Sequence, residues 1–276
     1  MAAILGLVII TILIVSTIKA YRIRHKEQEK VLNSGPAIGP ADNNQNNSTT
    51  KDKNENEIGW PSLDAKYITA MPVDSTQIQS ISKYRSCAGH DFSGYSFEQT
   101  SETNRSMKHY VYPVPVFQGT IDKVKMFAPF DGTVSKIDAE SDQIGKSGKR
   151  PKTGNGIAFT TPVDKNVGFE FSHIYFVEDF KVNDKVKAGE LIGYAALGDK
   201  GNDFDIILTG IESKQQPIFG SVFDHMTDEV LAEFAKYGIT PENTKFTKEY
   251  RDANPCDYNN LTSSGRSNND WIQLKH

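Results

Sequence analysis

Alternating apolar and polar residues mark much of the chain between residues 127 and 211 as β-structure. Short apolar runs separated by Gly, Asn and Asp predict strands joined by tight turns. The strongest alternation is GFEFSHIYFV, residues 168–177, which predicts one half-buried strand. Further strands are predicted within residues 127–137, 154–162, 180–197 and 202–211. Many short strands at this spacing are typical of a sandwich or a barrel, so we expect a mostly β domain.

A single added helix is predicted at residues 227–237. Thr227 is suited to the N-cap, and Gly238 to the C-terminal stop. Between them lie acidic residues of the first turn and an apolar stripe, namely Asp228, Glu229, Val230, Leu231, Phe234 and Ala235. We expect this helix to cover one face of the sheet. The remaining tail, residues 250–276, is polar and predicts irregular structure.

The N-terminal region predicts a membrane anchor followed by a tether. Residues 2–18 carry no charge and are just long enough to span a bilayer, so residues 1–21 are expected to form a transmembrane helix. A cleaved signal peptide is the alternative, but no basic stretch precedes the apolar run and no clear cleavage site follows it. Residues 22–57 combine a basic flank with an Asn-rich, polar segment that predicts a disordered tether. Residues 58–276 are long enough to form a folded domain.

Charge and motifs give conflicting signals about the side of the membrane. The basic residues after the apolar run, between Lys19 and Lys26, favour contact with anionic headgroups and a cytoplasmic domain. Four glycosylation sequons favour the opposite side, at Asn46, Asn47, Asn104 and Asn260. The two cysteines fit either one disulfide or two free thiols. The net charge of −4 is mild, and no basic stripe with interleaved aromatic residues predicts a nucleic-acid partner.

Three segments in order, FAPFDGTVSKI, GNGIAF and FSHIYFVEDFKVNDKVKAGELIGYA, resemble the duplicated hybrid motif of lysostaphin-type (LytM-like) zinc metallopeptidases. FAPFDGTVSKI and VKAGELIGYA echo each other as Gly-turn hairpins that end in strands. The resemblance covers about residues 84–211, with a long insertion between Gly94 and Met126. It implies a barrel-sandwich hybrid with one added helix.

The resemblance also implies where a metal site would lie. Members of this family bind zinc through an H-x-x-x-D turn and the last His of an H-x-H strand, and the open fourth position activates water. In this chain the turn becomes Cys87 to Asp91, and Asp203 takes the place of the last His. Gly201 replaces the other His of that strand, and His173 matches an accessory catalytic histidine. Loss of both strand histidines is expected to remove most activity.

The residues leave alternatives open at each position. Cys87 is either a zinc ligand or half of a disulfide with Cys256, the second being favoured outside the cell. With Cys87 in a disulfide, two carboxylates and a histidine would suit Ca²⁺, Mg²⁺ or Mn²⁺. Asp91 and Asp203 are metal ligands or turn residues. His173 is a site residue or a histidine half-buried on its strand.

The insertion KHYVYPVP is the most distinctive part of the domain. His109, Tyr110 and Tyr112, together with His90, are candidates for a recognition surface. The alternative is an edge strand packed on the barrel, with Pro113 and Pro115 blocking further pairing.

Taken together, the chain is expected to be a membrane-anchored, non-catalytic metallopeptidase-like module with its domain outside the cell. It would bind an envelope component or a membrane protein partner. The alternative is an active metallo-endopeptidase with a Cys87, Asp91, Asp203 and His173 site. Another histidine placed in the site by the fold would strengthen this alternative. The candidates are His90, His109 and His225.

Overall fold

Strands dominate the part of the chain that the computed structural model describes, residues 59–138, 156–197, 202–213, 216–258 and 268–276. All of these residues belong to one unit, Asn56–His276. The predicted anchor, the tether, Gly201 and the sequons Asn46, Asn47 and Asn260 lie outside the described residues. Asn104 lies within them and is exposed. Among the described residues, none forms a helix with the length and apolar character needed to span a membrane.

Thirteen short strands and two helices make up the regular structure of the described residues. In chain order, the strands are β1 (Ile78–Ser82), β2 (Tyr95–Ser96), β3 (His109–Pro113), β4 (Lys125–Phe127), β5 (Gly132–Asp138), β6 (Gly156–Thr160), β7 (Val167–Ser172), β8 (Ile174–Phe176), β9 (Lys185–Val186), β10 (Leu191–Ala195), β11 (Phe204–Ser213), β12 (Gln216–Gly220) and β13 (Trp271–Gln273). The helices are α1 (Asp228–Ala235) and α2 (Lys248–Ala253). Single turns of 3₁₀-helix lie at Ser75–Gln77, Pro115–Phe117, Phe223–His225 and Asn268–Asp270.

The described strands form two sheets around a shared core. The larger sheet has the order β13-β1-β3-β11-β7-β6-β5-β9, with β12 beside β11 and β2 beside β12. The smaller sheet has the order β4-β10-β8. Buried residues from both sheets, such as Phe169, Phe204 and Ile192, belong to one hydrophobic cluster. The prediction of a mostly β domain is therefore confirmed.

Every second residue of β7 is buried, which explains why the alternating sequence pattern predicted a strand here. Val167, Phe169 and Phe171 are buried in the core, while the residues between them are half-exposed. This is the expected consequence of successive side chains pointing to opposite faces of a strand.

The predicted single strand at residues 168–177 is wrong at His173. The backbone of His173 has φ +61°, an uncommon value for a residue other than glycine. The chain leaves the larger sheet after β7 and enters the smaller sheet as β8, so one alternating segment forms two strands. His173 therefore lies at the corner where the chain changes sheets.

The two echoing segments do not form hairpins of their own. β4 pairs with β10 in the smaller sheet, and β5 pairs with β9 in the larger sheet. Both strands of the first segment therefore pair with strands of the second. The turn between β9 and β10 is held by Asp131, which accepts a hydrogen bond from the Ala188 N–H at 2.9 Å. Each segment was predicted to form its own hairpin. In the structure the two segments pair with each other instead, although their strands lie far apart in sequence.

β3 differs from the edge strand considered for the insertion. It pairs with β1 on one side and β11 on the other, so it lies inside the larger sheet. Pro113 lies at the end of β3 and Pro115 lies beyond it, and their missing N–H groups therefore interrupt no central ladder bond.

The helix prediction is confirmed for α1, where Thr227 is the N-cap and Gly238 has φ +80° beyond the C-terminus. The tail prediction is wrong at two places, because residues 250–276 include most of α2 and all of β13. Helix α2 begins after Thr247, whose side chain accepts a hydrogen bond from the Tyr250 N–H at 3.1 Å. β13 pairs with β1 and forms one edge of the larger sheet.

The tail is fastened to the start of the domain by covalent and ionic contacts. Cys87 and Cys256 form a disulfide, which confirms the pairing favoured for an extracellular domain. Arg251 and Asp270, both buried, form an ion pair at 2.9 Å. The same Asp270 oxygen accepts a hydrogen bond from the Cys87 N–H at 2.9 Å. The tail therefore holds the turn that begins at Cys87.

Removing this disulfide should destabilise the domain. The Cys87→Ser/Cys256→Ser variant should lose about 2–5 kcal/mol of unfolding free energy, because the disulfide closes a long loop. Urea unfolding of the full-length protein, with and without reductant, measures this loss. Reductant should lower the stability of the wild type and leave the double variant unchanged. Equal stability of the wild type in both conditions would contradict a structural role.

Candidate functional site

A buried lysine–aspartate pair lies on the face of the larger sheet opposite the main core. Lys108 Nζ lies 2.7 Å from Asp205 Oδ2, and the side chains are 6% and 1% exposed. Asp205 lies on β11, directly opposite Tyr110 of β3, and Lys108 immediately precedes β3. Strand pairing therefore brings together two charges that are 97 residues apart in sequence.

Two aromatic rings complete the surroundings of the ammonium group. Lys108 Nζ lies 4.7 Å from the ring centroid of Phe92 and 4.6 Å from that of Tyr110. Aromatic faces attract cations at these distances, and the attraction increases as water is excluded. The ammonium group thus has one carboxylate and two ring faces in place of the water it loses on burial.

Two histidines border this pair. We use the name lysine site for the six residues described so far, namely Lys108, Asp205, Phe92, Tyr110, His90 and His173. His90 Nε2 lies 3.5 Å from Lys108 Nζ. His173 Nε2 lies 3.8 Å from Asp205 Oδ2, and its side chain is 41% exposed. The corner between β7 and β8 turns His173 toward Asp205, so the sheet change itself positions this histidine.

A close backbone approach holds the turn that carries His90. Gly89 has φ +67°, and a Cβ atom added there would lie 2.0 Å from the Tyr110 hydroxyl oxygen. The Tyr110 hydroxyl also accepts a hydrogen bond from the His90 N–H at 3.3 Å. Burial, and next the charge of Asp205, raise the pKa of Tyr110 above its usual range, so the hydroxyl stays protonated at neutral pH.

A second buried network supports the same turn. The Glu102 carboxylate bonds to Arg85 at 2.7 Å and to Arg105 at 2.8 Å, and its side chain is fully buried. Burial alone would lower the pKa of Arg85, but the hydrogen bonds and charge of Glu102 raise it above its usual value. The Arg105 N–H also contacts Asp91 Oδ1 at 3.4 Å. Ion pairs at the start of this loop, at Arg85, and at its end, at Glu102 and Arg105, therefore hold residues 85–105 in place.

The residues predicted from the H-x-x-x-D turn lie in different environments. Cys87 is in the disulfide, so its sulfur is not a free thiolate. Asp91 is exposed and bonds to the Ser93 hydroxyl and the Arg105 N–H. His90 reaches the lysine site, and its Nδ1 contacts the Asp91 carbonyl oxygen at 2.9 Å.

The candidate recognition residues on β3 have side chains on opposite faces of the sheet. His109 is fully buried in the main core, where its Nδ1–H donates to the Ser82 carbonyl at 2.8 Å and its ring packs on Phe223. The structure therefore does not bring His109 to a recognition surface. Tyr110 and Tyr112 alternate with His109 and lie on the opposite face. His225, considered as an extra histidine, is also buried and bonds to the Ala65 carbonyl.

Metal binding fits the described residues poorly. Within the described part of the chain, no three His, Cys, Asp or Glu side chains are grouped so that they could hold a metal ion. Asp203 is half-buried near the start of β11. The buried carboxylate of that strand, Asp205, already has an ammonium partner, and an added cation would be repelled by that charge.

Sequence reasoning missed Lys108 and Asp205 as the centre of the site. One signal was present in the sequence: Lys108 alternates with Tyr110 and Tyr112, and the two tyrosines share one face of β3, which Lys108 precedes. Asp205 alternates with Asp203 in the same way. The contact itself depends on the pairing of β3 with β11, which the sequence pattern does not specify.

No family model matches the chain, and no curated protein matches it. Solved structures similar to parts of the chain include a protein named as the glycyl-glycine endopeptidase lytM from Ruminococcus gnavus, at 16% identity and TM-score 0.32, over 42% of this chain and 44% of that chain. They also include the SpoIIQ–SpoIIIAH pore-forming complex, at 15% identity and TM-score 0.35, over 57% of this chain and 94% of that chain. A third is the catalytic domain of the prophage-encoded M23 protein EnpA from Enterococcus faecalis, at 16% identity and TM-score 0.28, over 50% of this chain and 93% of that chain.

The match spans less than half the length of the R. gnavus protein. Proteins named LytM and M23 occur among these structures, and this is the class that the sequence motifs resemble. At these identities and TM-scores, the function has to be inferred from the chain's own residues.

Breaking the buried ion pair should strongly destabilise the domain. Lys108→Met keeps the side-chain length but leaves the Asp205 carboxylate buried without its partner, so a loss of about 3–5 kcal/mol is expected. The double variant Lys108→Met/Asp205→Leu should recover most of that loss. Urea unfolding of the wild type, the two single variants and the double variant measures the coupling.

A matched control is Lys187→Met, which removes an exposed pair with Asp131 and should change stability little. A Lys108→Met variant as stable as the wild type would contradict the role assigned to the pair.

His109 should make the domain sensitive to mild acid. Burial lowers the pKa of His109 from 6.5 to about 4, although the Ser82 carbonyl opposes this shift. Between these two values the unfolded chain binds more protons, so the free energy of unfolding falls as pH is lowered from about 6.5 to about 4. The contribution of His109 to this fall should be about 3 kcal/mol.

Urea unfolding of wild type and His109→Gln across this pH range measures the contribution, since the amide can still donate to the Ser82 carbonyl. The difference between the two proteins should shrink by that amount on acidification. Parallel pH profiles for wild type and His109→Gln would show that His109 is not the sensitive group.

Proposed function

We propose that this chain is a membrane-anchored, non-catalytic module of LytM-like fold that binds a component of the cell envelope. Residues 2–18 would supply the anchor and residues 22–57 the tether. The disulfide supports a domain on the oxidising, outer side of the membrane. The crosswise pairing of β4 with β10 and β5 with β9 supports the barrel-sandwich hybrid with a duplicated motif.

The observation that carries the non-catalytic assignment is the disulfide at Cys87, the first ligand position that the resemblance implies. Zinc hydrolysis needs three protein ligands around the metal and an open position for water. Here Cys87 is committed to the disulfide, and Lys108 places a positive charge beside Asp205, two residues from the implied ligand Asp203. A fixed internal ammonium group balances the carboxylate but cannot activate water as a metal ion does.

Binding is supported by the groups that stay accessible around the lysine site. His90 and Asp91 are exposed, and His173 is partly exposed beside the buried pair. These side chains offer hydrogen-bond donors and acceptors on a rigid frame, because the turn is held by the Arg85–Glu102 pair. Such a surface suits a polar polymer that lies along the sheet face.

Metal content and hydrolysis of the purified full-length protein test this proposal. After exposure to Zn²⁺ and dialysis, the protein should retain far less than one zinc per chain. It should release no fragments from pentaglycine or from purified envelope material. The protein should nevertheless sediment with insoluble envelope material, and His173→Ala should weaken this more than the exposed control Lys187→Ala. Stoichiometric zinc with hydrolysis that is lost in Asp91→Ala would establish a metallo-endopeptidase instead.

A further inference from the structure

A polar pocket lies on the same sheet face as the lysine site. Its volume is about 230 Å³, and it lies where β13, β1 and β3 run side by side. Tyr112 lines it and is two residues along β3 from Tyr110, so the two tyrosines share a face. Ser80 of β1 forms the neighbouring part of the lining and is paired with Tyr112.

The lining of this pocket is rich in uncharged amide groups. Four side chains of this kind contribute, namely Gln79, Gln118, Asn202 and Gln273. Among the described residues, none that lines the pocket carries a formal charge. Each amide can donate and accept hydrogen bonds at once, as a hydroxyl group also does. Phosphates, carboxylates and ammonium groups form their strongest hydrogen bonds with charged partners, so this uncharged lining favours a neutral ligand.

Two aromatic side chains give the pocket an apolar component. The rings of Tyr112 and Trp271 meet edge to face, with centroids 5.2 Å apart and planes at 78°. The Trp271 indole N–H is buried and has no hydrogen-bond partner among the described residues. Because this N–H is buried while the residue as a whole is half-buried, the part of Trp271 that a ligand in the pocket can contact is its ring.

We propose that this pocket binds one neutral sugar ring of an envelope glycan, an inference that rests on the proposed envelope binding and names its ligand class. A sugar ring has C–H groups that contact aromatic rings and hydroxyl groups that bond to amides. The pocket is smaller than the roughly 300–1,000 Å³ of most small-molecule sites, which suits one ring of a longer chain. The rest of the chain would extend along the sheet face toward the lysine site.

Tryptophan fluorescence of the full-length protein provides a direct test, because the chain has two tryptophans, Trp60 and Trp271. The probes are cellotetraose and tetra-N-acetylchitotetraose, both neutral and soluble. One or both should change the emission saturably. The change should persist in Trp60→Phe, because Trp60 packs against Tyr95 rather than the pocket, and disappear in Trp271→Phe.

A second variant tests the pocket without altering a strand. Gln118→Ala removes an exposed amide just after the Pro115–Phe117 turn, and it should weaken oligosaccharide binding about fivefold, the effect of one neutral hydrogen bond. Gln216→Ala, at an exposed glutamine outside the pocket, should bind as the wild type does. No saturable response to either probe, or equal affinity of Gln118→Ala and wild type, would overturn the proposal.

These outcomes are separable from those for the proposed function. A protein that retains stoichiometric zinc and hydrolyses envelope material, yet binds the oligosaccharide through Gln118, would overturn the non-catalytic assignment and leave the sugar pocket standing. A metal-free protein that sediments with envelope material but gives no response to the oligosaccharides would overturn the sugar pocket alone.

Discussion

The buried ion pair between Lys108 and Asp205 is the contact on which the candidate site depends. It joins β3 to β11 on the face opposite the main core, where Phe92 and Tyr110 exclude water from it. Burying two charges is costly, and their attraction offsets the cost when the geometry is close and other groups help. Here a 2.7 Å contact and two ring faces supply that help. The positive charge that balances the Asp205 carboxylate is therefore a side chain of the protein itself, Lys108.

The loop that covers this pair is held from several directions. The disulfide, the Arg251–Asp270 pair and the Glu102 network all act on residues 85 to 105. A loop with this many buried polar contacts is expected to open together with the domain rather than locally. Its rigidity matters for binding, because groups already in position lose less entropy when a ligand arrives.

The exposed side of the larger sheet combines two kinds of surface. Near β11 it presents histidines and carboxylates around a buried charge pair, and near β13 it presents uncharged amides and aromatic rings. A polymer with both peptide and sugar components could contact both parts, whereas a small charged substrate would find no suited pocket at the β13 end. The proposed absence of hydrolysis and the proposed binding surface are therefore compatible on one fold.

The sequence by itself determined the local structure of this protein. Alternation predicted β6, β7 and β11, capping residues predicted α1, and the two cysteines allowed a disulfide, because each of these signals depends on near neighbours or on composition. Tertiary structure decided the exchange of strands between β4–β5 and β9–β10, the break at His173, the central position of β3 and the strand formed by the tail. It also decided the lysine site, since Lys108 and Asp205 meet through the pairing of strands far apart in sequence. Pairing over such distances follows from how the whole core is filled, and no local pattern specifies it.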